Sequence, residues 1–463
     1  MSEKSSTFVV RNFNYANMKH KRGSMLIVAA VVASVSVMGQ KQWTLKECLD
    51  YAMENSITLK KSQLQQKSAL EDLKSSKAQL LPSLSGSTNQ SVGYRPWQNS
   101  GITTVTNGQV NSKVNKTYYN GSYGLNANWT VWNGNKNVNN VKLNELSEQQ
   151  AELETQSTAN TIQEKIAQLY VQILYLTEAI KVNQSSLETS RKNEERGKEM
   201  VDVGKMSKAD LAQLSAQRAS DEYNIVEAES QLRNYKLQLK QVLELTGDEP
   251  FDVAIPPTTD EQAEAEIPLL RSVYEAALLS RPEIAKSQLN LKSSELNVAI
   301  AKAGRMPTLS MTGGLGTSTN SLSNLGWGTQ MKSNFDASAG VSVSMPIFDQ
   351  RQAKTSISKA KIAQQQAALD LQDQQKQLSQ TIEGYWLDAQ TNQQKFRSAT
   401  ATVESEQQSY DLLQEQFRLG LKNIVELMTG KDRLLTAQQN RLQSKYMTIL
   451  NIQLLRFYGG EAL

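Results

Sequence analysis

Few residues in this chain could do covalent chemistry. Its single histidine, His20, stands among Lys19, Lys21 and Arg22, just ahead of an apolar run. Its single cysteine, Cys48, lies beside Leu45 and Leu49 in a helical pattern, where a small packed side chain fits best. GGLG at 313–316 lacks both the GK[ST] and the following helix that a phosphate loop needs. No carboxylate pair falls in a recognisable pocket pattern, so an active site has little to be built from, and no catalytic, cofactor or metal site is expected. What does recur is a spaced set of charges. VDVGKMSKADL (201–211) aligns with FRLGLKNIVEL (417–427), matching Gly204 with Gly420 and Asp210 with Glu426, with Lys422 between the second glycine and its acid. Glycine permits a left-handed turn, and an acid early in a helix complements the positive end of the helix dipole. The chemistry open to these residues is electrostatic.

The chain has 463 residues, with plentiful Ser, Asn and Gln and few aromatics. That composition suits long solvated helices better than one thick core. Residues 1–39 read as an N-terminal extension and cleavable export leader: basic residues 19–22, an apolar run from Met25 to Val37, and small residues before Gln40. Met18 is a second candidate start, and a bilayer-spanning helix is the alternative reading of the run, although it is short for one. Removing residues 1–39 takes away five basic residues (Lys4, Arg11, Lys19, Lys21, Arg22) and one acid (Glu3) and leaves 45 of each sign. The basic balance therefore belongs to the leader and gives no reason to expect nucleic acid. His20 leaves with it.

The tip residues belong to a duplicated plan. Residues 40–246 and 269–463 each read as short helix, proline, strand, loop, strand, long helix, turn and returning helix. The acidic, proline-containing stretch 247–268 reads as a connector. LLPSLSGS (80–87) matches RMPTLSMT (305–312), with Pro82 and Pro307 each ending a helix ahead of a strand. Thr44 and Glu47 form a capping-box pattern at the first helix. Ile162, Ile166, Leu169, Ile173, Leu176, Ile180 and Leu187 step by three, four and seven, as do Leu378, Ile382, Tyr385, Ala389, Phe396, Ala399, Val403, Tyr410, Leu413 and Phe417 in the second copy. This is a heptad seam, so the long helices pack side by side as coiled coils. Each spans about 65–70 residues, on the order of 100 Å. The glycine turn then reverses the chain into shorter antiparallel helices over about 207–246 and 424–457.

The strands alternate with period two. In FDASAGVSVSM (335–345) the odd positions are apolar and the even ones polar or Gly, and 119–131 alternates the same way. Each copy thus offers a hairpin, 83–94 with 119–131 and 308–317 with 335–345. Strands of this length can cross a membrane, with lipid on the apolar face and water on the polar one. Tyr119, Trp129, Trp132 and Phe348 fall near strand ends, where an aromatic belt belongs. Four strands cannot close a barrel, and open edges are not tolerated in lipid. Two chains would give a barrel of eight filled by side chains, and three a barrel of twelve with an aqueous lumen, which the polar inward faces favour. A soluble strand pair packed on the helices is the other reading of these segments.

This plan resembles the TolC-like outer-membrane efflux protein family. The features that carry the resemblance are WTLKECLDYAMENS near residue 43, LLPSLS, RMPTLS, the aromatic strand exits VWNG and PIFDQ, and the two tip turns, in this order over nearly the whole chain from Trp43 to Gly460. The resemblance implies a mainly helical fold with transmembrane β-structure: a homotrimer whose strands share a twelve-stranded outer-membrane barrel that continues into an α-helical tunnel across the periplasm. It implies a passive exit duct for a tripartite efflux or type I secretion system, with a periplasmic adaptor, an inner-membrane pump and outer-membrane lipid as partners. It also implies that Asp210 and Glu426 line the periplasmic aperture, where six carboxylates in a trimer favour cations. Lys422 falls where a basic latch partner can occur, and Thr429 where some members carry a further acid. An exported coiled-coil scaffold of the periplasm or cell surface is the competing function.

Overall fold

The computed structural model describes residues 42–97, 102–106, 109–113, 116–247 and 251–463. The expected leader over residues 1–39 lies outside them. A two-residue strand β1 (Gln42–Trp43) leads into α1 (Leu45–Asn55) and α2 (Ile57–Ala78). The capping box forms as expected: Glu47 N–H donates to Thr44 Oγ1 at 3.2 Å, and Thr44 N–H to Glu47 Oε2 at 2.9 Å. Strand β2 (Ser83–Tyr94) follows, then β3 (Ile102–Thr106), β4 (Gln109–Lys113) and β5 (Thr117–Trp132). The long helix α3 (Lys136–Asp202) and its return α4 (Lys208–Val242) complete the first repeat.

The second repeat keeps the same lengths. After β6 (Asp252–Val253) and α5 (Asp260–Ala263) come α6 (Leu270–Ser280) and α7 (Pro282–Ala303). Strand β7 (Thr308–Asn320), the short helix α8 (Trp327–Ser333) and β8 (Asp336–Ser344) follow, then α9 (Gln352–Arg418) and α10 (Ile424–Tyr458). Helices α3 and α9 are 67 residues each, and α4 and α10 are 35. At 1.5 Å per residue the long rods reach about 100 Å. Residues 216 positions apart take equivalent places, such as Ile166 and Ile382, both buried. No helix among the described residues is long and apolar enough to cross a membrane.

The core is built from clusters drawn mainly from one repeat and joined across the middle, where Tyr446 enters the first and Ala167 meets Leu450 and Leu454. Cys48 and Ala52 of α1 pack with Ile166, Tyr170 and Ile173 of α3 and Leu239 of α4. Val273 and Ala277 of α6 pack with Ile382 and Ala389 of α9 and Ile452 and Leu455 of α10. Cys48 is fully buried, a packed small side chain. Residues 252–260 thread through this waist. β6 pairs in parallel with β1, Tyr170 Oη donates to the Ala254 carbonyl at 2.5 Å, and Asp260 meets Arg441 and Lys445.

Candidate functional site

Two regions are the candidates: the sheet at one end of the rods and the paired turns at the other. The sheet has four strands in the order β2-β5-β7-β8, all antiparallel, so the two expected hairpins lie side by side. Among the described residues, β2 and β8 each pair on one side only. Cross-strand partners share a face, and the register sorts the side chains cleanly. Leu84, Tyr123, Leu125, Ala127, Trp129, Met311, Leu315, Ala339, Val341 and Val343 fall on one face. Ser85, Ser87, Asn126, Asn128, Ser310, Thr312, Ser338 and Ser342 fall on the other, with Asp336 as an acid among them. Val341 and Val343 are 64% and 69% exposed, so the apolar face is open within one chain. At the helix end of the strands Trp129 Nε1 donates to the Leu80 carbonyl at 2.9 Å, and Trp132 Nε1 to Asn135 Oδ1 at 3.2 Å.

The turns close the rods. Gly204 and Gly420 have φ of 72° and 75°. Lys205 N–H donates to the Met200 carbonyl at 2.7 Å and Gly204 N–H to that of Val201 at 3.0 Å; Leu421 with Gln416 and Gly420 with Phe417 repeat the pattern at 2.9 and 3.0 Å. These are Schellman ends, which place glycine in the left-handed region. A Cβ at either glycine would meet nothing within 4 Å, so the requirement is conformational and not one of space. The two turns lie together: Leu214 and Met206 from the first pack with Tyr410, Phe417, Ile424 and Leu427 from the second.

The tip acids are held differently. Asp210 N–H donates to Ser207 Oγ at 3.0 Å, and the same hydroxyl donates to Asp210 Oδ2 at 2.8 Å. Glu426 sits in a full capping box with Asn423 and also accepts from Lys422 Nζ at 2.6 Å. The Lys422 ammonium and the Asn423 N–H hold the Glu426 carboxyl below its ordinary range. Within one chain, then, Lys422 partners Glu426 of its own turn. Thr429 donates back to the Val425 carbonyl at 2.8 Å.

Above the tips lies a charge pair that sequence reading missed. Lys431 of α10 donates to Asp221 of α4 and, at 2.5 Å, to Ser190 Oγ of α3. Ser190 Oγ is itself 2.6 Å from Asp221 Oδ2. All three are at most 5% exposed. The signal was available: Asp221 stands seven residues from both Leu214 and Ala228, and Lys431 between Leu427 and Leu434, so each charge interrupts a buried heptad seam. Nearby, Glu194 accepts from Ser215 at 2.8 Å and faces Arg218 and Lys198.

Known proteins share this fold. A family model described as outer membrane efflux protein matches residues 48–244 and 273–460, which are the two repeats. The outer membrane efflux protein BepC of Brucella suis biovar 1 is 22% identical over 430 residues, covering 92% of this chain and 88% of that protein. The outer membrane protein TolC of Vibrio cholerae is 22% identical over 433 residues, covering 93% and 94%. A crystal structure of CusC superposes with a TM-score of 0.78 at 16% identity, covering 90% of this chain and 92% of that one.

Proposed function

The chain belongs to the outer membrane efflux protein family, and from that premise we propose that it is the outer-membrane exit duct of a tripartite efflux or type I secretion system. It conducts cargo passively, receiving it from an inner-membrane pump through a periplasmic adaptor, and works as a homotrimer. The observation that carries this reading is the sheet with one apolar face, one face of hydroxyls and amides, and two edges unpaired among the described residues. Unpaired strand edges are not stable in lipid, and joining the β2 edge of one copy to the β8 edge of the next removes them. Three copies give twelve strands, enough for a water-filled lumen lined by Ser, Thr and Asn. An exported scaffold would have no use for a sheet sorted in this way.

The rods then form the tunnel, and the paired tips its aperture. Asp210 and Glu426, three of each, give that aperture a negative field favouring cations. Lys422 tunes the field by pairing with Glu426. Two experiments test the reading. The protein should sediment with outer membrane and require detergent for release; release by salt alone would remove the barrel. In planar bilayers Asp210→Asn with Glu426→Gln should lower cation selectivity, and unchanged selectivity would take these side chains out of the aperture.

A further inference from the structure

The loop that joins the two strands of the second hairpin does not simply span the gap between them. Trp327 of α8 meets Tyr123 of β5 edge to face, with ring centres 6.3 Å apart. Thr317 Oγ1 donates to the Met331 carbonyl at 2.8 Å, and Asn334 Nδ2 to the Ser318 carbonyl at 2.6 Å. Gln330, 6% exposed, accepts from Asn320 N–H and donates to the Leu325 carbonyl, both at 2.7 Å. Tyr123, Thr317 and Thr319 all lie on the apolar face, and Thr319 is buried. Helix α8 is therefore folded back over the outside of the sheet, away from the polar face.

The face changes character where α8 covers it. Beneath lie Gln90, Tyr119, Thr317 and Thr319, with the Tyr119 hydroxyl on Gln90. Below α8 the face is apolar, from Leu125, Leu315 and Ala337 down to Val343, and on to exposed Ile347 and Phe348. Along β8 that face runs from Ala337 to Val343, seven residues or roughly 23 Å of strand, and Met345, Ile347 and Phe348 carry it on beyond the strand end toward the rods. Helix α8 thus stands at the outer edge of the hydrocarbon. Leu325, Trp327 and Phe335 are 46%, 58% and 59% exposed there. Phe335 shares a shallow depression with Gly86, Tyr123, Leu125 and Leu315, a seat for an acyl chain. Lys332 is exposed on the same helix.

We propose that α8 is an in-plane membrane anchor that binds an anionic phospholipid of the outer leaflet. Trp327 and Leu325 enter the boundary between headgroups and chains, the acyl chain lies in the depression beneath Phe335, and Lys332 faces the headgroup phosphate. Aromatic residues at headgroup depth and a basic side chain toward anionic lipid are the chemistry of such a site. The proposal rests on the barrel reading above.

The test uses the full protein in vesicles of brominated phosphatidylcholine with phosphatidylglycerol. Tryptophan emission is compared between the natural chain and Trp327→Phe, which keeps the ring contact with Tyr123. Bromines near the headgroup should quench the natural chain more than bromines near the chain end, and Trp327→Phe should lose that shallow-quenched component. Replacing phosphatidylglycerol by neutral lipid should weaken the quenching of Trp327, and Lys332→Gln should abolish that difference; a difference that survives Lys332→Gln overturns the assignment of the headgroup. If Trp327 answers to aqueous iodide and not to bromolipid while the remaining tryptophans are quenched by lipid, the anchor is wrong and the barrel stands. If no tryptophan is quenched by lipid, both fall.

Discussion

The two pairs of rods have identical lengths and opposite interiors. In the first pair the long rod is the buried one: α3 encloses Ile166, Leu169, Ile173, Leu176 and Ile180, while α4 buries Leu214, Asp221, Ala228 and Leu239 and little else. In the second pair the returning rod is buried: α10 encloses Leu427, Leu434, Tyr446, Leu450, Leu454 and Leu455, while α9 buries a residue every one to two turns or less often. The cause is order across the molecule. Helices α3 and α10 pack on each other in the middle, with α4 against α3 and α9 against α10. Near the sheet the row is α2, α3, α7, α9, and in the sheet it is β2, β5, β7, β8. At every level the equal halves become a centre and two flanks. Such a chain regains equivalence when the flank of one copy meets the opposite flank of the next, a head-to-tail contact that closes into a ring. The exposed Tyr223 and Val226 of α4, at 67% and 58%, are what that contact would cover.

The most damaging way to test this asymmetry is to charge the α4 flank. Tyr223→Glu with Val226→Glu should convert the proposed trimer, solubilised in detergent, into monomers in size-exclusion chromatography with light scattering, because each buried unpaired charge costs about 3–5 kcal/mol. Both positions are exposed in the single chain, so the monomers should keep the helical content of the natural protein. A trimer that survives both charges would mean that α4 is no flank.

The second test addresses the joint between the halves. Asp221→Ala leaves the Lys431 ammonium buried without its carboxylate and should cost about 3–5 kcal/mol in thermal or denaturant unfolding. Asp221→Leu with Lys431→Met should recover most of that loss, since a packed apolar pair can replace a buried ionic one. If the double variant is as unstable as the single one, the triad is packing and not charge. The third test is smaller and symmetrical. Gly204→Ala and Gly420→Ala should each cost about 1–2 kcal/mol, the price of a left-handed backbone for an L residue. Nothing else crowds either site, so unequal losses would mean that one tip is held by more than its own turn.

The parts of this fold that could be read from the sequence are the parts whose periodicity is local. The heptad steps from Ile162 to Leu187 and from Leu378 to Phe417 announce the rods, and the alternation through 335–345 and 119–131 announces the strands. The glycines of both tips were legible because a turn between two helices demands their conformation. Helix α8 was not, since its seven residues are held by Tyr123, Thr317 and Ser318 from another part of the chain. In the structure that loop covers a sheet face. The Lys431–Asp221 pair spans 210 positions, so the interrupted seams are visible in sequence while their partnership is not. The aperture roles proposed for Asp210 and Glu426 rest on resemblance, because a ring made by several copies leaves no pattern within one.

The finest difference between the halves is at the tips. Met206 occupies in the first repeat the place of Lys422 in the second, and it packs inward on the tip cluster, whereas Lys422 reaches Glu426. Glu426 is the acid that Lys422 and the Asn423 N–H hold down. A carboxyl depressed in the folded state contributes its stabilisation above its unfolded value and loses it as pH falls through the lower folded value. Lys422→Ala should therefore move the Glu426 titration upward, toward ordinary glutamate, as read by carboxyl NMR of an isotope-labelled side chain. In bilayers the same variant should lose cation selectivity at a higher pH than the natural protein on acidification, because Glu426 protonates sooner. Lys422→Arg should keep the natural midpoint. If Lys422→Ala leaves the midpoint where it was, then Lys422 faces another subunit in the assembled aperture, and the contrast between the two tips belongs to the isolated chain alone.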